Sequence, residues 1–108
     1  MNLPTEVFGD VVVAHAPDEV TRDQAEGMKQ FLLGLERSNI VLDLDGSESL
    51  DSVGLETLLS LQTELRALNG DLKISTTNHV NRKILEITRL ESRLEVFDSV
   101  IDAVRSYC

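Results

Sequence analysis

The sequence predicts an α/β fold, with one mixed β-sheet of four or five strands and about four α-helices. Short apolar runs alternate with longer segments whose apolar residues recur at helical spacing, which is the pattern of strands joined by helices. Helical crossovers make neighbouring strands parallel and give their connections a right-handed sense. An antiparallel hairpin at the start makes the sheet mixed, so the predicted order is β-β-α-β-α-β-α-β-α.

The first third of the chain predicts a hairpin followed by a helix. Two apolar runs within residues 6–15 flank a Gly-Asp dipeptide at 9–10, and this dipeptide favours a tight turn. A proline within residues 16–21 indicates a loop, because proline biases the preceding residue away from helical torsions. A helix is predicted over 22–36, where the apolar residues form one stripe: Ala25, Met28, Phe31, Leu32 and Leu35.

The middle of the chain predicts the buried centre of the sheet. Residues 40–45 are mostly apolar and branched, as expected of a short central strand. A loop is predicted over 46–50, and a second helix over 52–68, where an Asn-Gly dipeptide ends it. Leucines supply the apolar face of this helix: Leu55, Leu58, Leu59, Leu65 and Leu68.

The last third predicts two further strand and helix units. Strands are predicted over 71–75, which alternates as if one face were buried, and over 94–97. A third helix is predicted over 79–88, and a fourth ends near Arg105. The residues expected to point inward are Val80, Ile84 and Ile87 in the third helix and Ile101 and Val104 in the fourth.

Length and charge restrict the class of protein. The chain has 108 residues, which predicts a single domain over 1–108. Nineteen acidic against ten basic residues give a net charge of −9, so nucleic acid and anionic membranes are poor partners and a basic protein surface is a better one. No signal peptide, no apolar run of ~20 residues and no internal disulfide for the single Cys108 are visible, which predicts a cytoplasmic protein.

The candidate site lies where two loops are expected to meet, beyond the carboxyl ends of the parallel strands. These loops cover 16–21 and 46–53. Ser52 lies at or next to the start of the second helix, where unpaired N–H groups and the positive end of the helix dipole would receive a phosphate. Ser52 could instead be the N-cap, or Asp51 could be the cap and leave the Ser52 hydroxyl free.

The residues around Ser52 have two interpretations each. Gly54 lacks a Cβ, which allows the backbone of another protein to approach closely or allows the helix to pack tightly on the sheet. Asp18, Glu19 and Asp51 would make an added phosphate conspicuous if they cluster near Ser52, because a phosphate brings about −1.5 to −2 charges. Otherwise these acids are solvated loop residues and helix caps.

Signatures of an enzyme are missing from the sequence. His15 and His79 lack the Cys, His or carboxylate spacing of a metal site. Residues 46–49 lack the lysine of a P-loop, and Ser52 has no histidine base near it in sequence, although folding could bring His15 closer. We therefore expect no catalytic residue, no metal and no cofactor.

The central strand and the start of the second helix together form a known motif. Residues 41–46 read Val-Leu-Asp-Leu-Asp-Gly, and residues 50–55 read Leu-Asp-Ser-Val-Gly-Leu. This order resembles the signature of STAS domains, a family named after sulfate transporters and anti-sigma factor antagonists. The family pattern is an apolar strand ending in Asp, a short loop, and Asp-Ser-(small)-Gly-Leu opening a helix. The resemblance covers roughly residues 38–106 and includes three further segments, 69–74, 80–90 and 94–99.

The resemblance is to stand-alone bacterial antagonists, and it implies a mixed sheet with the helices mostly on one face. In that family an anti-sigma factor with serine kinase activity phosphorylates the serine after the loop aspartate, which breaks their complex, and a serine phosphatase restores it. By this resemblance Ser52 accepts the phosphate. The partner-binding residues that it implies are Asp18, Asp51, Ser52, Val53, Gly54 and Leu55.

Two departures from the family pattern leave alternatives open. Val53 stands where Ser, Thr or Ala is more usual, and residues 16–20 lack the family's Gly-x-(Leu/Ile)-Asp segment. A second hypothesis is therefore a STAS subunit of a lipid or solute transport complex that binds a transporter ATPase constitutively. A third is an enzyme or nucleotide binder. A weak homodimer is also open.

Overall fold

The chain folds around one five-stranded sheet, and the computed structural model describes residues 1–107. The strands are β1 (Thr5–Phe8), β2 (Val11–His15), β3 (Glu19–Val20), β4 (Asn39–Asp43), β5 (Ser49–Leu50), β6 (Asp71–Ser75) and β7 (Glu95–Phe97). The order in the sheet is β1-β2-β4-β6-β7, in which β1 is antiparallel to β2 and the other pairs are parallel. β3 and β5 form a separate parallel pair. Cys108, predicted to form no internal disulfide, lies outside the described residues.

Four α-helices cover the two faces of this sheet. They are α1 (Arg22–Leu33), α2 (Ser52–Ala67), α3 (His79–Ile87) and α4 (Val100–Arg105), with a 3₁₀ turn at Leu90–Ser92. The crossovers through α1, α2 and α3 step across the sheet in the same direction, so their right-handed sense puts these helices on one face. α4 covers the other face. The predicted mixed α/β fold with helices mostly on one face is therefore confirmed, and no helix within residues 1–107 is long and apolar enough to cross a membrane.

The core is aliphatic on both sides of the sheet. In β4, Ile40 and Leu42 are fully buried toward α1, α2 and α3, whereas Val41 is fully buried toward α4. This is the burial on both faces that a central strand requires. β4 ends at Asp43, two residues before the predicted end, but Leu44 beyond it is still buried and donates its N–H to the Ser75 carbonyl.

The predicted hairpin is confirmed, with Phe8 opposite Val11 across the turn. Gly9 has φ +64°, and it occupies the first central position of the two-residue turn. Glycine adopts this left-handed conformation without the steric penalty of a Cβ, and the turn twists in the sense that the two strands need.

The inward face predicted for α3 is wrong. Val80 and Ile87 are 64% and 70% exposed and Ile84 is only partly buried, whereas Asn81 and Leu85 are buried. The helix has apolar residues on two sides. Because Leu85 packs in the core and the Asn81 amide is buried, the other apolar stripe, which consists of Val80, Ile84 and Ile87, faces solvent.

Smaller errors concern helix ends and the face of α4. Ile101 is 63% exposed, because the small Ala103 is the residue that brings this short helix against the sheet, with Val104 partly buried beside it. α1 ends at Leu33, before the predicted 36. Leu68 is exposed because α2 ends one residue before it.

Two side chains fasten the end of α4 to the sheet. The Tyr107 hydroxyl lies 2.7 Å from the Ile40 carbonyl oxygen and 2.9 Å from that of Asp71. Burial raises the pKa of Tyr107 far above its ordinary value, so this hydroxyl remains a donor. Lys73, buried in β6, donates to the Ser106 hydroxyl at 2.7 Å and lies 4.2 Å from the centre of the Tyr107 ring.

Candidate functional site

The two predicted loops do meet beyond the carboxyl ends of β2 and β4, which are parallel neighbours. A short parallel ladder joins them, since β3 and β5 lie within these loops and pair Glu19 with Ser49. The Glu48 N–H donates to the Asp18 carbonyl at 2.7 Å, and the Ser47 hydroxyl donates to the Pro17 carbonyl at 2.6 Å. Both segments were predicted as loops, because two-residue strands carry no periodicity that a sequence can reveal.

Asp51 is the N-cap of α2. One oxygen of its carboxylate accepts the Gly54 N–H at 2.8 Å, and the other accepts the Arg22 N–H at 3.0 Å. Arg22 is the first residue of α1, so a single carboxylate satisfies unpaired donors at the starts of two helices. These hydrogen bonds, that from Gly54 first and that from Arg22 second, lower the pKa of Asp51 below its ordinary value.

Ser52 is therefore not the cap but the first residue of α2. The residue is exposed, and its hydroxyl makes no hydrogen bond to any other part of residues 1–107. Of the two roles considered from the sequence, the structure gives the cap to Asp51 and leaves the Ser52 hydroxyl free. The hydroxyl is available at the positive end of a 16-residue helix.

The three residues after Ser52 differ in exposure. Val53 is partly buried, Gly54 is buried, and Leu55 is 8% exposed and belongs to the core. A Cβ on Gly54 would overlap the carbonyl oxygen of Val20 and lie 2.7 Å from its carbonyl carbon. Gly54 is thus required for close packing inside this chain, where the first turn of α2 lies against β3.

The two joined loops and α2 carry exposed acidic side chains. Asp18, Glu19 and Glu48 are exposed on the two joined loops, and Glu56 is exposed in the first turns of α2. Asp18 lies 3.5 Å from the Gln24 side-chain amide, which donates to it. Asp18 and Glu19, two of the acids expected near Ser52, are therefore exposed on the loop that is hydrogen-bonded to the segment before Ser52.

Asn81 is part of this site although its role was missed in the sequence. It is buried in α3, and its side-chain amide donates to the Leu44 and Ser47 carbonyls at 3.1 and 3.0 Å. This fixes the loop that leads to Asp51 and Ser52. The sequence did contain an indication of this role, because Asn81 and Leu85 are four residues apart and therefore lie on the same face of the helix.

The histidines lie apart from this arrangement. His15 Nδ1 is 3.0 Å from a carboxylate oxygen of Asp43, and its Nε2 is 3.3 Å from one of Glu6. His79 is exposed at the start of α3. Within residues 1–107, no group of three or more His, Cys, Asp or Glu side chains is arranged to hold a metal ion.

The capping role of Asp51 predicts a specific pH dependence. Because the folded pKa of Asp51 is depressed, its stabilising contribution is present above the unfolded value of 3.8 and is lost as the pH falls through the lower folded value. Asp51→Asn keeps one acceptor for Gly54 but presents an N–H₂ group to the Arg22 N–H. We expect it to lower the stability at neutral pH, and the difference from the wild type to shrink in acid.

Urea unfolding of both proteins between neutral pH and about pH 3 measures this difference. Asp23→Asn is the matched control, since Asp23 is an exposed carboxylate in the first turn of α1. Parallel pH profiles for wild type and Asp51→Asn would contradict the role given to this carboxylate.

Comparison with known proteins agrees with the fold. A model of the family described as STAS domain matches residues 2–103. The structure is similar to that of a candidate anti-sigma factor antagonist from Thermotoga maritima, with a TM-score of 0.85 and 22% identity over 96% of this chain and 92% of the other. An anti-sigma factor antagonist from Mycobacterium paratuberculosis has a TM-score of 0.84 and 21% identity, over 97% of this chain and 92% of that chain.

A third similar structure is the phosphorylated form of the Bacillus cell fate determinant SpoIIAA. Its TM-score is 0.71 and its identity 17%, over 99% of this chain and all (100%) of the other. At these identities the likeness concerns the fold.

Proposed function

This chain belongs to the STAS domain family, and from that membership we propose that it is an anti-sigma factor antagonist whose binding is switched by phosphorylation of Ser52. In this proposal the unphosphorylated chain binds an anti-sigma factor with serine kinase activity. That kinase phosphorylates Ser52 and thereby releases the chain, and a serine phosphatase reverses the change. The place of action is the cytoplasm.

The observation that carries the proposal is the division of roles between Asp51 and Ser52. Asp51 accepts the N–H groups of Gly54 and Arg22, so the fold does not need the Ser52 hydroxyl. Ser52 is exposed at the helix start. A modification of this hydroxyl can therefore change the surface of the protein without removing a cap.

Ser52 is the substrate of the proposed reaction and not a catalytic residue. Its Oγ forms a bond to the γ-phosphorus of ATP held by the kinase, ADP leaves, and the hydroxyl proton passes to a base. No side chain within residues 1–107 accepts a hydrogen bond from this hydroxyl, so the base belongs to the kinase. The phosphate then lies at the positive end of α2.

Charge explains how the phosphate would change binding. The site presents the exposed carboxylates of Asp18, Glu19 and Glu48, and the whole chain carries a net charge of −9. Such a surface suits a basic partner surface at close range. A phosphate adds about −1.5 to −2 charges and a bulky hydrated group where the partner must approach Ser52.

The partner-binding residues predicted from the sequence divide into two groups under this proposal. Asp18, Ser52 and the exposed part of Val53 contact the partner. Asp51, Gly54 and Leu55 hold that surface in place, Asp51 by its two hydrogen bonds, Gly54 by its contact with Val20 and Leu55 from the core.

The test is calorimetric titration of the anti-sigma kinases of the same cells with four forms of this chain. These are the unmodified chain, the phosphorylated chain, Ser52→Ala and Ser52→Asp. We expect phosphorylation to weaken binding about 100-fold, or ~2.8 kcal/mol. Ser52→Asp should show part of this loss, and Ser52→Ala should bind but accept no phosphate by mass spectrometry.

Thr63→Asp is the matched control. Thr63 is exposed on the same helix, 11 residues further along, which is about 17 Å away. Thr63→Asp adds the same negative charge as Ser52→Asp, but outside the proposed surface, and should bind the partner like the wild type. If no kinase phosphorylates Ser52 and binding is indifferent to Ser52→Asp, the switch is wrong. Constitutive binding to a transporter ATPase would then favour the transport-subunit hypothesis.

A further inference from the structure

The outer edge of the sheet at β1 has no partner within residues 1–107. β1 pairs with β2 on one side only, and it is the first strand in the sheet order. All four of its residues are exposed. An edge strand of this kind presents a row of unpaired N–H and C=O groups to any strand that can pair with it.

The hydrogen-bonding pattern shows which residues of β1 point outward. The His15 N–H donates to the Pro4 carbonyl at 3.0 Å, so this is a hydrogen-bonded pair of the β1–β2 ladder. Because such pairs alternate along antiparallel strands, the backbone groups of Glu6 and Phe8 face β2. Those of Thr5 and Val7 point away from it, to the open side.

Two of the four side chains of this edge are large and apolar. Val7 and Phe8 are 53% and 47% exposed. Beside Phe8 lies a groove of about 220 Å³, which Ile101, Val104 and Arg105 of α4 also line. Lysine and proline, the two residues that most often protect an edge, do not occur within β1, although Pro4 directly precedes it.

We propose that this edge is a homodimer interface, in which β1 of one copy pairs antiparallel with β1 of a second copy around Val7. The two Val7 residues then exchange N–H···O=C hydrogen bonds, and one sheet runs through both copies. This inference goes beyond the proposed function, because it requires neither an anti-sigma factor nor Ser52.

Charge selects this register. Pairing centred on Glu6 would place the two Glu6 carboxylates opposite each other, and like charges in that position are destabilising. Pairing centred on Val7 places Glu6 opposite Phe8 of the second copy instead. The net charge of −9 on each copy opposes association, so added salt should strengthen the dimer by screening.

The same register brings opposite charges together. Glu6 and Phe8 lie opposite Val13 and Val11, and both valines face α4. Glu6 of one copy therefore points toward the groove of the other copy, which Arg105 lines. His15 of the same chain contacts one oxygen of the Glu6 carboxylate, which leaves the second oxygen for Arg105. Because the dimer has two-fold symmetry, the ion pair between Glu6 and Arg105 forms twice.

Sedimentation velocity of the full chain alone, from micromolar to millimolar concentration, tests the interface. We expect a monomer–dimer equilibrium that shifts toward dimer in salt. Val7→Lys should raise the dissociation constant about tenfold or more, because it places two lysines opposite each other. Val80→Lys is the matched control, since Val80 is exposed to a similar extent (64%) but lies on α3.

Two results would overturn the proposal. One is a monomer at every concentration and salt level. The other is a dimer that Val80→Lys dissociates and Val7→Lys leaves intact, because the apolar stripe of α3 would then be the interface. Thermal unfolding by circular dichroism verifies that both variants are folded.

A charge exchange gives a second, independent measurement. Glu6→Arg and Arg105→Glu should each weaken the dimer, and the double variant should recover most of the loss. Recovery is expected only if these two side chains face each other across the interface. Equal and additive losses in the double variant would contradict the Val7-centred register.

Discussion

Gly54→Ala is expected to destabilise the protein by about 3 kcal/mol or more, at the upper end of what overpacking a core costs. The added methyl group would overlap the Val20 carbonyl oxygen and lie 2.7 Å from its carbonyl carbon. Both are backbone atoms of β3, which is paired with β5, so they cannot move aside as a flexible side chain would. The overlap can be relieved only if α2 moves away from the loop at 16–21.

The measurement is equilibrium urea unfolding followed by far-UV circular dichroism. Gly46→Ala is the matched control, because a Cβ there meets no atom within 4 Å. We expect that variant to stay within about 0.5 kcal/mol of the wild type, as surface substitutions usually do. Equal midpoints for the two variants would show that the contact between Gly54 and Val20 is not tight.

A functional consequence accompanies the loss of stability. Separation of α2 from β3 would move Ser52 away from the loop at 16–21, and it would strain the hydrogen bond between the Asp51 carboxylate and the Arg22 N–H. Under the proposed function, folded Gly54→Ala should therefore bind the anti-sigma factor more weakly than Gly46→Ala does. Binding at a temperature where both variants remain folded separates this effect from unfolding.

Asn81→Asp is expected to destabilise the protein by about 3 kcal/mol or more at neutral pH, as an uncompensated buried charge does. The Asn81 amide donates to the Leu44 and Ser47 carbonyls, and its own oxygen is buried and meets no donor within residues 1–107. A carboxylate would instead direct negative oxygens at two carbonyl oxygens. The loop that leads to Ser52 would lose its attachment to α3.

The pH dependence of this variant has the opposite sign to that of Asp51. A buried carboxyl among acceptors has a raised folded pKa, so the variant is least impaired in acid and loses stability as the pH rises above about 3.9, the ordinary value for Asp. Asn78→Asp is the matched control, since Asn78 caps α3 and Asp is an equally good cap. Urea unfolding of both variants at pH values below and above about 3.9 measures how the stability of each depends on pH. A loss of stability in Asn81→Asp that does not change with pH would contradict the buried contact.

Much of the fold follows from local pattern. The dipeptide at 9–10 gave the hairpin, because Gly accepts the positive φ that the turn needs. The apolar run in 40–45 marked the central strand, since only a strand covered on both faces is apolar at successive positions. The stripe of Ala25, Met28 and Leu32 marked the buried side of α1. Each of these signals lies within a few residues of chain.

The faces of the short helices could not be predicted in the same way. α3 carries apolar residues on two sides, and a hydrophobic pattern alone favours the longer stripe of Val80, Ile84 and Ile87. The buried side is instead chosen by Asn81, whose partners Leu44 and Ser47 are 37 and 34 residues away. A polar residue that completes distant hydrogen bonds outweighs an apolar side chain at the surface.

Sequence patterns alone were enough to predict an α/β domain with the STAS motif and to put Asp51 and Ser52 at the start of its second helix. Which of the two is the N-cap became clear from the three-dimensional contacts of the Asp51 carboxylate. Asp51 caps α2 by accepting the Gly54 N–H, its second oxygen also accepts the Arg22 N–H, 29 residues earlier in the chain, and Gly54 allows the loop of Val20 to lie close. Local sequence reports contacts within one turn or one strand, whereas the second hydrogen bond of Asp51 and the close approach of Val20 depend on which distant segments the fold brings together.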